Sequence, residues 1–275
     1  MSAGDTSETA GVLRKRRDVL AALCEGPVRK RTLVESLGVP RTTLDRGIRE
    51  LVDEGLAERV DGGFQATVVG AKALESADRY HAELAGLHEA EALFESLPAD
   101  TPVDGRFLAG ATVSQPDPSV PDGVVDRLFE SVRNATRVHG LAPVVLGGHI
   151  DTFDTEARTG GAVPKMVLTP AVFDHLVESR PERLREQIRE GEFEFFVGPI
   201  DARFGLWVAD HDDRPSEAGL LVYTDTGVGG VAINDTPEAV RWAHEQYDDA
   251  RETAEPVTLE LIADRLAAGA SAGAE

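Results

Sequence analysis

The sequence predicts an α/β protein of two domains, a small helical domain with a β-hairpin and a larger α/β sheet domain, joined by a long helix. Three observations predict this. The chain has 275 residues, which is enough for two domains. Residues 12–68 show three short amphipathic patterns and then two extended pieces. From about residue 104, strand and helix patterns alternate.

The first domain begins with three predicted helices. The first covers residues 12–25. Thr32 is expected to cap the second, with Glu35 as its capping-box partner, and Gly38 to end it. Pro40 suits the start of a third helix that runs to about residue 54. The side chains expected to face the core are Leu13, Val19, Leu20, Leu23, Cys24, Leu33, Val34, Leu37, Leu44, Ile48, Leu51 and Val52.

Two short extended pieces, LAERV and FQATV, follow the third helix. They are joined by Asp61-Gly62-Gly63, and Asp-Gly between such pieces is a strong hairpin signal. Three helices and a hairpin make a winged helix. We place this domain at residues 11–72, after a disordered N-terminus at residues 1–10.

Charge divides unevenly along the chain. The whole sequence holds 28 Lys and Arg and 49 Asp and Glu, a net charge of −21, yet residues 1–75 are neutral. The N-terminal part can therefore approach an anion that the acidic remainder repels. Only four of the cations are lysines, a composition typical of proteins in a salt-rich cytoplasm. They are Lys15, Lys30, Lys72 and Lys165.

The run RTLVESLGVPRTTLDRGIRELVDEGLAERVDGGF resembles the winged helix-turn-helix of archaeal transcriptional regulators, a resemblance that covers nearly all of residues 12–70. It implies that the third helix enters the major groove of double-stranded DNA and that the wing contacts the backbone. The implied base readers are Arg41, Thr42, Thr43 and Arg46, and the implied phosphate contacts are Lys30, Arg31, Arg49 and Arg59. Alternatively, some of these arginines pair with Asp45, Glu50 or Asp53 on their own helix.

Residues 70–97 are predicted as one helix, with residues 73–97 as a linker and dimerisation segment. Its apolar stripe consists of Ala77, Tyr80, Leu84, Leu87 and Phe94. This stripe either packs on the chain's own second domain or pairs with its copy in a homodimer. We favour the dimer, because two recognition helices about 34 Å apart fit a two-fold DNA site.

The second domain is predicted at residues 104–258, followed by a C-terminal helix and flexible tail at 259–275. Thr236 is expected to cap the last helix of the domain, with Pro237 at its first position. The predicted strands are FLAGATV, LAPVVLGG, PKMVLT, EFEFFVG, FGLWVAD, AGLLVYT and VGGVAIND, and the predicted helices are VVDRLFESVRNA, AVFDHLVESRPERLREQIREG and TPEAVRWAHEQYDDARETA.

The pieces LAPVVL, VLTPAVFDHL, FGLWVAD and VAINDTPEAVRWAHEQYDDARETAEPV resemble the middle domain of FilR-type methanogenesis regulators, which is widespread in haloarchaeal winged-helix regulators. The resemblance covers roughly residues 120–257. It implies an effector or oligomerisation module. It supplies neither a ligand nor a catalytic residue.

One catalytic motif is matched formally, because GASAG at residues 269–273 fits GxSxG, but it lies in the predicted flexible tail with no preceding strand and we treat it as chance. No HxK, GK[ST] or HExxH occurs, and the single cysteine excludes a disulfide framework and a cysteine zinc site. We therefore expect no enzyme activity, no metal and no cofactor. Candidate ligand contacts are His149, Arg203, Trp207 and Asp210. The alternatives are a loop with a helix cap at Asp151 and a tryptophan that belongs to the core.

The sequence thus predicts a cytoplasmic DNA-binding transcriptional regulator without a membrane segment, a homodimer whose second domain senses a small molecule. Two other classes stay open. One is a protein-interaction adaptor that uses the winged helix without binding DNA specifically. The other is an enzyme with a DNA-binding domain attached. The exposed arginines of the third helix discriminate, because an adaptor does not require Arg41 and Arg46.

Overall fold

The computed structural model describes residues 3–95, 97–117, 119–224 and 227–272. The chain divides into two compact units, Met1–Ala82, here called the head, and Glu83–Glu275, here called the body. The division lies inside a long helix, within the segment predicted as a linker at 73–97. Together the two units confirm the predicted fold class.

The head is a winged helix. Its core consists of the leucines and other apolar residues that the helical spacing predicted, and Leu20, Leu44 and Leu51 are fully buried. Its elements are α1 (Ala3–Cys24), α2 (Lys30–Leu37), α3 (Arg41–Asp53), β1 (Ala57–Val60), β2 (Gly63–Ala66) and the first part of α4 (Val68–Glu89).

Several details of the head differ from the prediction. Helix α1 begins at Ala3, within the segment predicted to be disordered. Helix α2 begins at Lys30 with Arg29 as its N-cap, so Thr32 is not the cap. Val52 is 38% exposed and Cys24 is exposed, because both lie at the margin of the apolar stripe rather than at its centre.

Two backbone turns fix the head's recognition elements. Gly38 takes a left-handed conformation with φ of 64° directly after α2, which allows the tight turn into α3. Gly63 packs against the chain before α2, where an added Cβ would lie 2.1 Å from the carbonyl oxygen of Val28. Val28 and Phe64 exchange two backbone hydrogen bonds of 2.9 and 3.0 Å. The hairpin is therefore anchored to the segment that leads into α2.

The body is a mixed sheet of eight strands with helices on both faces. Three neighbouring strands are parallel and the others pair antiparallel. In spatial order they are β10 (Glu255–Pro256), β6 (Glu194–Val197), β5 (Lys165–Leu168), β4 (Arg137–Ala142), β7 (Phe204–Asp210), β8 (Glu217–Thr224), β9 (Gly227–Asn234) and β3 (Thr112–Ser114).

The helices of the body form two layers. One face of the sheet is covered mainly by α5 (Glu91–Phe94), α6 (Gly105–Leu108) and α11 (Pro237–Glu252), and the other by α7 (Asp126–Val132), α8 (Ile150–Glu156), α9 (Pro170–Ser179), α10 (Pro181–Arg189) and α12 (Leu259–Ala272). Helix α11 begins as predicted, since the Thr236 side chain accepts a hydrogen bond from the Ala239 amide and Pro237 follows the cap.

Four predicted elements of the body are wrong in extent, and one of them is the strand LAPVVLGG, of which only Leu141 and Ala142 belong to β4. The helix predicted over 70–97 ends at Glu89, because Ala90 and Leu93 turn into the body core. The strand predicted at 107–113 begins with α6, since the Asp104 carboxylate caps a helical turn by accepting from the Arg106 amide. The single helix predicted after residue 170 is two, because Pro181 disfavours a helical residue before it.

Candidate functional site

The exposed face of α3 is polar, and the opposite face is the centre of the head's core. Leu44, Ile48 and Leu51 are buried there together with Gly47. The predicted base readers point away from this core, so the amphipathic pattern of one helix fixes both its packing and its outward chemistry. The exposed side chains on this face are Arg41, Thr42, Thr43, Arg46 and Arg49.

Most of the cations at this face already have carboxylate partners. Lys30 Nζ lies 2.5 Å from Asp45 Oδ1, and this hydrogen bond holds the pKa of Asp45 below its usual range. Arg46 Nε lies 2.9 Å from Glu50 Oε1, whereas Arg41 Nε is 3.9 Å from Asp45. The alternative of arginine pairing within α3 is therefore realised, but in exposed pairs that contribute only about 0–1 kcal/mol each.

The remaining predicted phosphate contacts are also at the surface. Arg31 pairs with Glu35 on α2 at 3.0 Å. Arg49 on α3 and Arg59 on β1 are exposed, and neither forms an ion pair with any residue in the described ranges. Of the predicted phosphate contacts, these two guanidinium groups are the most readily available to an incoming anion.

Glu50 is the centre of a charge cluster that joins α1 to α3. Its carboxylate accepts a hydrogen bond of 2.8 Å from Arg16 Nε, and Lys15 and Arg46 also contact it. The hydrogen bond from Arg16 is the largest cause that lowers the pKa of Glu50 from 4.5 to about 2. The cluster therefore fixes α3 through a carboxylate that stays ionised.

The sequence analysis did not identify Arg16 as a structural residue. It is 9% exposed and packs over Gly47, whose added Cβ would lie 3.2 Å from Arg16 Cδ. A signal was available, because Arg16 lies at helical spacing within the apolar stripe of Leu13, Val19 and Leu20.

The body holds a cavity of about 150 Å³ between one sheet face and the helices α7 to α10. Strands β5 to β8 supply Met166, Phe195, Trp207 and Tyr223 to its wall. The segment that follows β4 closes it from another side. Further lining side chains include Leu128, Phe129, Leu146, Ile150, Phe153, Leu176 and Phe193. The wall is thus dominated by apolar and aromatic groups.

Trp207 faces a glycine on each neighbouring strand, and its ring lies over one of them, Gly219. It pairs with Gly140 on β4 and with Gly219 on β8. Its indole Nε1–H donates a 2.9 Å hydrogen bond to the Ser131 hydroxyl, so its polar atom is satisfied although the side chain is buried. The ring is held against the sheet and forms one wall of the cavity.

The structure brings two of the four predicted ligand residues together. His149 and Trp207 line the cavity, and the His149 ring lies 5.8 Å from the ring of Phe129. Arg203 is exposed and does not line it. Asp151 lies in the first turn of α8, whose N-cap is His149.

Asp210 is on the opposite face of the sheet from Trp207, because side chains alternate along β7. Its carboxylate lies 3.0 Å from Arg137 and 3.6 Å from His244, and the interaction with His244 is the largest cause that holds the pKa of Asp210 well below its usual range.

His139 stacks on Tyr247 with 4.5 Å between ring centroids. Burial lowers the pKa of His139, so its imidazole is held neutral.

Sequence reasoning also missed the ion pairs at the cavity. Arg180 binds Asp151 through two hydrogen bonds, and Arg183 contacts Asp154 at 2.5 Å. The two acids precede their arginines by 29 residues, so periodicity within one helix gave no signal.

Within the described ranges, no helix combines the length and apolar character that crossing a membrane requires.

Two family models match the chain. Residues 121–253 match "Methanogenesis regulatory protein FilR1, middle domain", and residues 5–87 match "HVO_A0261 N-terminal domain". The first match includes the cavity, and the second includes the winged helix and most of α4. They agree with the resemblances that the two parts of the sequence indicated. No curated protein matches the chain.

Solved structures of low similarity span one or both units. TrmBL2, an archaeal chromatin protein, is 17% identical with a TM-score of 0.42, and the match covers 91% of this chain and 93% of that one. Nuc, a phospholipase D family member from Salmonella typhimurium, is 14% identical with a TM-score of 0.35, and the match covers 54% of this chain and 98% of that one.

NucT from Helicobacter pylori is 11% identical, with a TM-score of 0.36 and the same two coverages as Nuc. At these TM-scores the similarities assign no activity to the chain. The family matches, by contrast, cover both the winged helix and the sheet domain. The sheet domain is therefore similar to the middle domain of methanogenesis regulatory protein FilR1, and the winged helix is similar to the HVO_A0261 N-terminal domain.

Proposed function

We propose that the head binds double-stranded DNA with α3 in the major groove, and that the body forms a homodimer and binds a small-molecule effector. The observation that carries the DNA-binding part is the exposed face of α3, with Arg41 and Arg46 close to the helix start. An α-helix fits the major groove, and the first turns of a recognition helix reach base edges.

The residues of the head divide by role. A bidentate arginine–guanine contact contributes about 1–3 kcal/mol of discrimination, more than the exposed ion pair that Arg46 gives up to make it. Phosphate contacts position the duplex without reading sequence. The proposed base readers are Arg41, Thr42, Thr43 and Arg46, and the proposed phosphate contacts are Lys30, Arg31, Arg49 and Arg59.

The dimer is proposed from an unpartnered stripe on α4. Tyr80 is 59% exposed, and Leu84 and Leu87 are each 45% exposed. Spacings of four and three residues place these three side chains on one face of the helix. Pairing with a second copy would remove this apolar surface from water, and a two-fold pair would present two copies of α3 to a two-fold DNA site.

The effector part is proposed from the cavity of the body. Apolar cavities with a few polar groups at the edge are the usual small-molecule sites. A ligand regulates only if it binds one arrangement of the dimer better than another. We therefore propose that the ligand shifts the population of dimers whose two heads match the half-site spacing.

The test of DNA binding uses a duplex selected from a random pool by the protein itself, with a scrambled duplex as control. Fluorescence anisotropy in high potassium chloride compares wild type with R41A/R46A. The charge-matched control is R189A/R241A, two exposed arginines of the body. We expect R41A/R46A to weaken binding to the selected duplex at least tenfold and the control to leave it unchanged. Equal affinity of all three proteins for the selected duplex would refute base reading by Arg41 and Arg46. Wild-type protein that binds the selected and scrambled duplexes equally would favour the adaptor function instead.

A second experiment separates phosphate contacts from base contacts. R49A and R59A should weaken selected and scrambled DNA equally and reduce the slope of log K against log salt by about one each. The slope of the wild type should be shallow for the number of cations in the head, because several of them already have carboxylate partners. Loss of affinity for the selected duplex alone would instead make Arg49 or Arg59 a base reader.

The dimer is tested by light scattering and sedimentation. L84E/L87E places two charges on the stripe of α4, and V163E is the matched control at another exposed apolar side chain of the body. We expect the double variant to be monomeric and V163E to remain dimeric. A wild-type protein that is monomeric throughout the micromolar range would refute the dimer and leave DNA binding by the head unaffected.

A further inference from the structure

We propose that the ligand of the body is a compact aromatic monocarboxylate, with its ring in the cavity and its carboxylate on Arg180. This inference rests on the proposed effector function and specifies its chemistry. Three features of the cavity point to this ligand: its volume, the composition of its wall and the bonding of the polar groups around it.

The volume of the cavity matches about one buried ring. A dry apolar cavity of about 150 Å³ in another protein accepts benzene, which sets the scale for the cavity of this body. Sugars, nucleotides and long acyl chains are larger or more polar than this space. A single six-membered ring with one substituent fits it.

The composition of the wall favours an aromatic ring. Aromatic pairs prefer offset or edge-to-face contacts, and rings surround the space on several sides, so a ligand ring can make such contacts in more than one direction. A polar body would leave its own groups without partners against this wall. The aromatic lining residues are Phe129, Phe153, Phe193, Phe195, Trp207 and Tyr223.

Most polar groups at the cavity already form hydrogen bonds or ion pairs within the protein. The Tyr223 hydroxyl donates to the Val144 carbonyl at 3.3 Å. Arg183 binds the buried carboxylate of Asp154 and also contacts Glu186 and Glu192. A ligand would have to break a multiple, partly buried set of bonds to recruit Arg183. These groups therefore close the cavity rather than select its ligand.

Arg180 is different, because its partner is easily displaced. Its guanidinium lines the cavity and is 30% exposed, and within the described ranges its ion pair is with Asp151 alone. The Asp151 side chain is 76% exposed, so it can return to water at little cost. A ligand carboxylate can then form the same bidentate pair with Arg180 in a drier place, where such a pair is stronger.

The experiment uses the full-length W242F variant, in which Trp207 is the only tryptophan. Trp242 lies beside Phe107 in the core on the opposite face of the sheet from the cavity. Its replacement by phenylalanine therefore leaves the cavity wall intact. The probes are benzoate and its neutral counterpart benzyl alcohol. Calorimetry and Trp207 fluorescence report binding, and a Kd of about 1 mM or tighter is expected for benzoate.

Three variants assign the carboxylate. R180M should weaken benzoate at least tenfold without changing the affinity for benzyl alcohol. The control R189M, at the C-terminal end of α10, should change neither affinity. D151N removes the competing carboxylate and should strengthen benzoate several-fold. Benzyl alcohol binding as tightly as benzoate, or D151N weakening benzoate, would overturn the role of Arg180. No binding of either probe at 1 mM-scale affinity would overturn the ligand class.

A parallel arm separates this inference from the effector function. The anisotropy assay with the selected duplex is repeated with benzoate and with representative sugars, nucleosides and amino acids. Altered DNA affinity with benzoate supports both proposals. A change with a polar compound only refutes the aromatic acid but keeps the effector function. No change with any compound, although benzoate binds, refutes the effector function and keeps the cavity assignment.

Discussion

Gly219 is required by the ring that lies over it. An added Cβ at this position would be 1.9, 2.2 and 2.3 Å from three atoms of the Trp207 indole. The β7–β8 ladder fixes the two backbones opposite each other, and the indole N–H is bonded to Ser131. The ring therefore cannot move away without breaking a buried hydrogen bond. We predict that G219A strongly destabilises the body.

The magnitude follows from these contacts. The ring must move by about 1.5 Å to restore ordinary van der Waals separation. Overpacking of this kind costs about 1–3 kcal/mol, and the lost bond between Trp207 and Ser131 adds about 1 kcal/mol. A total of about 3 kcal/mol lowers the melting temperature of a domain this size by about 6–12 °C.

Differential scanning calorimetry of the full chain measures the effect on the body's transition. G148A is the control, because an added Cβ there meets nothing within 4 Å and the backbone is not left-handed. The decisive variant is W207L/G219A. If the Trp207 ring is the cause, G219A should cost much less in the W207L background than in wild type. An equal loss in both backgrounds, or a loss no greater than that of G148A, would refute the reasoning.

Three further predictions concern charge and close packing. The lowered pKa of Glu50 stabilises the head above pH 4.5, and this contribution is lost as the pH falls towards 2. E50Q should therefore lower the stability of the head at pH 7 and make its stability less dependent on pH in the acid range. Urea titrations at a series of pH values across this range would measure both effects. Because the pKa of His139 is lowered, the folded body loses stability as the pH falls below 6.5. H139F should therefore reduce the loss of body stability between pH 7 and pH 5. An unchanged dependence of body stability on pH would contradict this. An added Cβ at Gly86 would lie 2.1 Å from the Leu108 carbonyl oxygen, so G86A should lower the calorimetric melting temperature of the body by several degrees, in spite of the higher helix propensity of alanine.

The head was predictable because its signals are local. Gly38 and Pro40 mark the turn between α2 and α3, and Asp61-Gly62 marks the hairpin, all within a few residues of the structure they determine. The start of α2 was not predictable, because its N-cap residue Arg29 makes no side-chain capping hydrogen bond and the helix forms without the predicted capping box. Local patterns thus predicted which elements exist better than where they begin.

The body was predicted less well where tertiary packing decides the structure. The apolar run at 107–113 has the composition of a strand, yet Phe107 and Leu108 are buried in a helical turn. The side chain of Asn234 on β9 donates hydrogen bonds to the carbonyl oxygens of Phe107 and Ala109 at 2.7 and 2.9 Å. A partner more than a hundred residues away in sequence cannot be inferred from a local pattern.

The same limit applies to the candidate sites. Helical spacing alone places Arg41 and Arg46 on the outward face of α3. The ion pair between Lys30 and Asp45, by contrast, exists only after α2 has packed beside α3. The cavity is built from about seven separate segments of the body. Single residues such as Trp207 could be predicted to line it, but neither its volume nor the ion pair of Arg180 at its edge could be predicted from the sequence.

The two edges of the eight-stranded sheet are short, and this has a consequence for how the protein avoids aggregation. Strand β3 has three residues and β10 has two, of which Pro256 has no backbone N–H to offer. Exposed sheet edges otherwise template pairing with other chains, and proteins commonly protect them with charge. In molar salt the screening length is about 3 Å, so charge protects an edge poorly. Short edge strands and a proline protect it at any ionic strength, since they simply leave a neighbouring chain few hydrogen-bonding groups with which to pair.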